Sequence, residues 1–143
     1  MSHTSILSGK VLKQSLPMMD TVPSGGAPLL KRLLLPQGEL AQFYDADQGI
    51  RYMAFVEFLR GGLRGNHYHH VKEEHLYVIR GEVMLWVEDI DSHERDSLTL
   101  KAGDLVKIPT GIAHAVQTLQ SGEGIEFSPA RFDAKDIYRH SLV

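Results

Sequence analysis

Half of the chain's eight histidines fall in one central segment, Gly65-Asn66-His67-Tyr68-His69-His70-Val71-Lys72-Glu73-Glu74-His75-Leu76-Tyr77. Imidazole nitrogen suits divalent transition metals, and a run this dense reads as a metal-ligand cluster. Spacing narrows it. A strand sends alternate side chains to one face, so His67 and His69 point the same way. Glu74 opens what reads as the next strand, and His114 arrives later, beyond a Pro109-Thr110-Gly111 turn. Three imidazoles and a carboxylate suffice for a divalent metal with one or two positions left open.

Such side chains need a frame to hold them. Short apolar runs supply it at Lys31 to Leu35, Leu40 to Tyr44, Tyr52 to Leu59, Glu74 to Arg80, Val83 to Glu88, Ser97 to Leu100, Asp104 to Ile108, Ala115 to Leu119 and Gly124 to Phe127. Turn signals separate nearly all of them, including Gly61-Gly62, Arg80-Gly81-Glu82, Ala102-Gly103-Asp104 and Ser121-Gly122. That punctuation predicts an all-β antiparallel sandwich or barrel, with no helical period before the tail after Ala134. Alternation puts Glu74, Leu76 and Val78 on one face and His75, Tyr77 and Ile79 on the other, and makes His114, Val116 and Thr118 co-facial. His70 and His75 therefore have the wrong parity for the cluster and are expected outward or at an interface. Pro17, Pro23, Gly25, Gly26 and Pro28 crowd the stretch from Ser15 to Pro28, so residues 1–28 are expected to form an irregular arm ahead of a single domain over 29–143.

Composition bounds the function. With 143 residues, 43% of them hydrophobic and 23% charged, the chain can bury a core without disulfides. Cysteine is absent, which removes thiolate ligands and fits a reducing compartment. A net charge of -3 with no basic block argues against nucleic acid as a partner. The stretch from Met1 to Lys13 lacks a basic segment followed by an apolar one, and no run is long enough to span a membrane; a cytoplasmic protein is expected.

The cluster resembles the first motif of the cupin superfamily, Gly-x5-His-x-His-x4-Glu-x6-Gly, at Gly61, His67, His69, Glu74 and Gly81. Gly103, Pro109, Gly111 and His114 fill the second motif, which departs from the family only at Thr118, where Asn is usual. The resemblance spans roughly Tyr52 to Phe127, with the two motifs at 61–81 and 103–118, and implies a single cupin jelly-roll β-barrel, the double-stranded β-helix, that pairs into homodimers. It implies that His67, His69, Glu74 and His114 hold a divalent transition metal. Zinc, iron and manganese suit a nitrogen-rich site without thiolate, and the sequence does not choose among them. Thr118 cannot supply the paired donor and acceptor of an amide, so a substrate contact made by the family's Asn is altered here.

Leu63-Arg64-Gly65-Asn66-His67-Tyr68-His69 and Val78-Ile79-Arg80-Gly81-Glu82-Val83 are also similar to segments of nucleotide-sugar-modifying cupins. That branch includes dTDP-4-keto-6-deoxyhexose 3,5-epimerases, 3,4-ketoisomerases and the metal-retaining cupin domain of a capsular-polysaccharide reductase/epimerase. The resemblance implies an isomerase or epimerase of a keto-sugar or similar small carbonyl compound, the metal acting as a Lewis acid. Such chemistry needs a base α to a carbonyl. If the site is metal-free, His67 is that base; if His67 is a ligand, Tyr52, Glu57, Tyr68 and Tyr77 are the candidates. Arg64, with Arg51, Lys72 and Arg131 behind it, could meet a phosphate or carboxylate. Two other functions stay open: a mononuclear iron dioxygenase, which anaerobic turnover would exclude, and a non-enzymatic sugar-binding or regulatory barrel, which would bind without making product. Glu73 is expected in solvent, His3, His93 and His140 at the surface, and Phe55, Phe58, Met84 and Trp86 in the core or a dimer interface.

Overall fold

The computed structural model describes residues 2–22, 25 and 28–143. The chain opens with a hairpin of β1 (Ser2–Ile6) and β2 (Val11–Ser15), followed by the short β3 (Met18–Met19), β4 (Lys31–Leu35) and β5 (Gly38–Gln42). Then come β6 (Tyr52–Phe58), β7 (Leu63–Tyr68), the long β8 (Glu74–Asp89), β9 (Arg95–Lys101), β10 (Asp104–Ile108) and the long β11 (Ile112–Ser128). A single 3-10 turn (Ala134–Asp136) and β12 (Tyr138–Arg139) close it, so the tail after Ala134 carries only that one turn of helix.

β8 and β11 run antiparallel along most of their lengths, with register breaks around Gln120 and Glu123. Gly81, in the left-handed region at φ 94°, lies opposite those breaks. Each pair of apolar runs split by Gly81 or Ser121-Gly122 is thus one bent strand that belongs to both layers. The first half of β8 pairs with β10, which continues to β2 and β1, while the second half of β11 pairs with β6. The other halves pair with β9 and β7, and β12 extends β7. Between these layers lies the main core, which includes Phe58, Leu76, Val78, Val83, Leu85, Val106, Ile108 and Ile112. This is the all-β antiparallel architecture that the punctuation predicts, in the jelly-roll form that the resemblance implies.

The expected arm needs correction. Residues 2–15 are a regular hairpin whose second strand joins β10, and Leu7 and Val11 are buried in the main core. The proline and glycine cluster disguises this, because β1 is short and polar and depends on its neighbours rather than on its own alternation. Pro23 and Gly26 of the supposed arm lie outside the described residues.

A second correction concerns parity. β3, β4 and β5 form a small separate sheet, beside which Leu16, Tyr77, Leu105 and Phe127 make a second core with Phe43 and Tyr44. Phe43 stacks on Tyr77 with ring centroids 4.1 Å apart. Both faces of the first half of β8 are therefore buried, as in a sheet covered on two sides. His75 points away from the histidine cluster, as parity requires, but is buried against Phe127 and Tyr44. Among the described residues no helix is long and apolar enough to cross a membrane.

Candidate functional site

The site lies between the two layers. Tyr52 and Glu126 reach into a cavity of about 200 Å³ from one layer, with Glu74 at the start of β8; His67, His69, His114 and Arg64 enter from the other. Lys72, Phe132 and Ile137 also line it, and Val56, Phe58, Leu76 and Val116 form its apolar wall.

Local backbone chemistry aims the histidines. His67 of β7 sits opposite His114 of β11, and the register slips between His114 and Ala115, so one extra residue is accommodated in β7. That residue is Asn66, left-handed at φ 56° and preceded by Gly65 at φ 93°. A bulge of this kind bends a strand and redirects its side chains. It also lets Arg64 and Gly65, neighbours that strict alternation would separate, both line the cavity. Asn66 then accepts the backbone N–H groups of Leu142 and Val143, tying the C-terminus to the bulge.

The rings of His67, His69 and His114 converge, with centroids 4.8 to 5.5 Å apart, and one nitrogen from each lies within 4.8 Å of the others. His69 Nδ1 lies 2.7 Å from the Asp136 carbonyl oxygen, and His114 Nδ1 lies 3.1 Å from that of Ile112. A carbonyl can only accept, so in the neutral rings each Nδ1 carries the proton and each Nε2 presents a lone pair. Both Nε2 atoms are buried without a hydrogen-bond partner among the described residues. Orientation of a ligating imidazole by a carbonyl on its other nitrogen is the usual support of a metal ligand.

Glu74 adjoins the group at His114. Its Oε2 lies 3.2 Å from His114 Nε2, without hydrogen-bond geometry, and its Oε1 lies 3.3 Å from Lys72 Nζ. A carboxylate facing a lone pair at that distance needs a cation or a proton between them. Burial opposes the charged form of Glu74, but His114 and Lys72 outweigh it and hold the carboxyl well below the usual range; Glu74 in turn raises His114 against its own burial. Burial, then His114 and His69, lowers His67 to about 4, and burial also lowers His69. Both rings are therefore neutral at pH 7, the form in which a histidine can ligate. The three histidines thus fit a divalent metal, with the Nδ1 atoms of His69 and His114 held by backbone carbonyls and the Glu74 carboxylate beside His114 as a further donor.

Of the candidate bases, Tyr52 faces the cavity. Glu57 points outward beside Met53 and Phe55, Tyr68 stacks on Tyr138, and Tyr77 is buried against Phe43; none of these three lines the cavity. Thr118 is buried on β11 but does not reach the cavity lining, because the register breaks just beyond it. Arg64 stands at the mouth, while Arg51 and Arg131 are exposed outside it. His70 is exposed against Tyr138, and His3 and His93 are exposed; His140 is half-buried beside the buried carboxylate of Glu88. Phe58 belongs to the core, Trp86 is half-buried and Phe55 is exposed.

Glu126 and Asp136 escape a reading of the sequence, and Lys72, read there as a contact for a phosphate or carboxylate, takes a further part. Lys72, only 7% exposed, holds its ammonium 4.3 Å from the centre of the Tyr52 ring as well as beside Glu74. Glu126 accepts the Tyr52 hydroxyl at 3.0 Å. Asp136 accepts backbone N–H groups of His70, Val71 and Lys72 at 2.8 to 3.2 Å, fixing the loop between His69 and Glu74. Glu126 sits between Ile125 and Phe127, and that alternation ordinarily marks a solvent-facing polar residue; here the apolar side faces the second core and the polar side faces the cavity.

Residues 36–136 match the polysaccharide biosynthesis C-terminal domain family. The chain belongs to that family. No curated protein matches it. Among solved structures, this polysaccharide biosynthesis C-terminal domain is similar to the rmlC epimerase of Mycobacterium tuberculosis, with a TM-score of 0.75 and 14% identity over 97% of this chain and 72% of that one. The dTDP-6-deoxy-D-glucose-3,5-epimerase RmlC of Legionella pneumophila gives 0.74 and 15% over 96% and 76%. The 3,4-ketoisomerase QdtA of Thermoanaerobacterium thermosaccharolyticum gives 0.71 and 14% over 92% and 88%. At such identities the likeness establishes the fold alone: the domain has an RmlC-like cupin fold.

Proposed function

We propose that this protein is a metal-dependent isomerase or epimerase of a keto-sugar or similar small carbonyl compound, with the metal held by His67, His69, Glu74 and His114. One observation carries the reading: three imidazoles converge, two of them locked by backbone carbonyls with buried Nε2 atoms, and a carboxylate lies 3.2 Å from one of these, inside a cavity large enough for part of a sugar. A divalent metal there supplies Lewis-acid polarisation of a carbonyl.

The chain's own residues do the rest. The Lys72 ammonium, dry and close to Glu74, offers positive charge to an enolate oxygen in a site where water does not screen it. Arg64 at the mouth suits the phosphate of a nucleotide-linked sugar, with the fork geometry that favours arginine for this task. Phe132, stacked on Tyr52, and Ile137 add apolar surface to the cavity lining. The structural likenesses support the substrate class: the Legionella protein was solved with dTDP-4-keto-L-rhamnose and a QdtA variant with TDP-4-keto-6-deoxyglucose.

Incubation with TDP-4-keto-6-deoxyglucose in D2O, followed by proton NMR, tests this. Deuterium is expected at a carbon next to the keto group. No exchange with this or other nucleotide-linked keto-sugars would refute the activity.

We also propose a homodimer, supported by Met53 and Phe55 standing exposed on the outer face of β6, with Leu59 just beyond it. Light scattering is expected to give twice the mass of one chain, falling to the monomer mass in Phe55→Asp.

A further inference from the structure

We infer that Glu126 is the base that removes the substrate proton, with Tyr52 as its positioning residue. The inference rests on the keto-sugar reading above and answers a question that reading leaves open. If His67 is a metal ligand, its lone pair is committed and it cannot also accept a proton from carbon.

Glu126 stands on β11 where that strand pairs with β6 and β8, opposite the layer that carries His67, His69 and His114. A substrate between the layers therefore has the three histidines on one side and this carboxylate, on the same sheet as Glu74, on the other. The Tyr52 hydroxyl donates to Oε1 at 3.0 Å, and the Tyr52 ring is itself held between Phe132, stacked at 5.8 Å, and the Lys72 ammonium. A carboxylate fixed through one oxygen keeps the other for proton transfer. Among the described residues no donor is bonded to Oε2. Of the tyrosine and acidic candidates that the sequence offers as bases, only Tyr52 lines the cavity, and its hydroxyl already donates to Glu126.

The step balances with groups that are present. The C–H bond next to the keto group breaks and its proton bonds to Oε2 of Glu126. The C–H electron pair becomes the carbon–carbon π bond of the enolate, and the carbonyl π pair moves to oxygen, facing the positive charge of Lys72. Reversal returns a proton from Glu126 to carbon; in D2O the carboxylic acid exchanges first, so deuterium is delivered.

The test compares wild type, Glu126→Gln, Glu126→Asp and Tyr52→Phe for deuterium exchange into TDP-4-keto-6-deoxyglucose, with metal content and thermal unfolding measured on each. Glu126→Gln is expected to lose about 10²- to 10⁴-fold in exchange rate, the usual contribution of a general base, with metal content and melting temperature matching wild type. Glu126→Asp should recover part of the rate, which restored folding alone would not explain. Tyr52→Phe should lower kcat while leaving KM unchanged. Wild-type exchange with an unimpaired Glu126→Gln would overturn this inference and leave the keto-sugar reading standing. Loss of metal from Glu126→Gln would make Glu126 a ligand and equally overturn it. No exchange by the wild type would remove both.

Discussion

Asp136→Ala is expected to cost about 3 kcal/mol of unfolding free energy and to weaken metal binding by about 10- to 100-fold, from the usual worth of hydrogen bonds to a charged group and of contacts that hold a ligating histidine in place. The carboxylate is 7% exposed and accepts the successive backbone N–H groups of His70, Val71 and Lys72. Truncation leaves those donors without a partner. The Asp136 carbonyl meanwhile orients His69, so a loosened 3-10 turn disorders a ligand and the Lys72 ammonium together. Asp136→Asn, which keeps one acceptor, should fall between. Burial raises the Asp136 carboxyl, but the His70 and Lys72 amides outweigh it and the net shift is downward. Its stabilisation is then fully present above the unfolded Asp value, about 3.9, and is lost as pH falls through the lower folded value. Acid unfolding below that pH should be steeper in wild type than in Asp136→Ala. Urea unfolding and zinc titration check the main claim, and a stability change below about 0.5 kcal/mol, the range of ordinary surface substitutions, would contradict it.

Gly65→Ala is expected to be worse. A Cβ built at Gly65 would meet the His114 carbonyl oxygen at 2.5 Å and the Ala115 Cα at 3.2 Å, and the backbone is left-handed at φ 93°. Left-handed backbone alone costs an L-residue about 1–2 kcal/mol. The clash adds to that cost, because the atoms in the way are main chain and can yield only if β7 moves off β11. That movement separates His67 from His114. A total near 4 kcal/mol, among the largest effects of single substitutions, is expected together with loss of metal. Gly111→Ala is the control: its φ is also positive, at 74°, but its Cβ meets nothing within 4 Å. It should pay the conformational cost alone. Equal stability losses in the two variants would refute the role of the close approach between β7 and β11.

Much of the site is legible in the sequence because two simple regularities suffice for it. Period-two spacing puts His67 with His69, and the turn before His114 returns the chain to the same cavity. Parity fails where its premise fails, namely that one face of a strand is wet. The small sheet of β3 to β5 makes Tyr77, His75 and Phe127 buried on what alternation reads as the outside. By the same logic Glu126 looks like a surface acid. Asp136 is hidden for a different reason: its partners are backbone amides, which leave no mark on side-chain pattern. The hairpin of β1 and β2 is hidden by its dependence on β10, a strand distant in sequence.

The central claim is the metal, since the tautomers of His69 and His114 and the approach of Glu74 are explained together by a cation among them. Elemental analysis of protein purified without a metal-affinity tag tests it most directly. The account predicts about one equivalent of a divalent transition metal per chain, lost in His69→Ala. Less than about a tenth of an equivalent in wild type, unchanged after incubation with zinc, iron(II) or manganese, would contradict it.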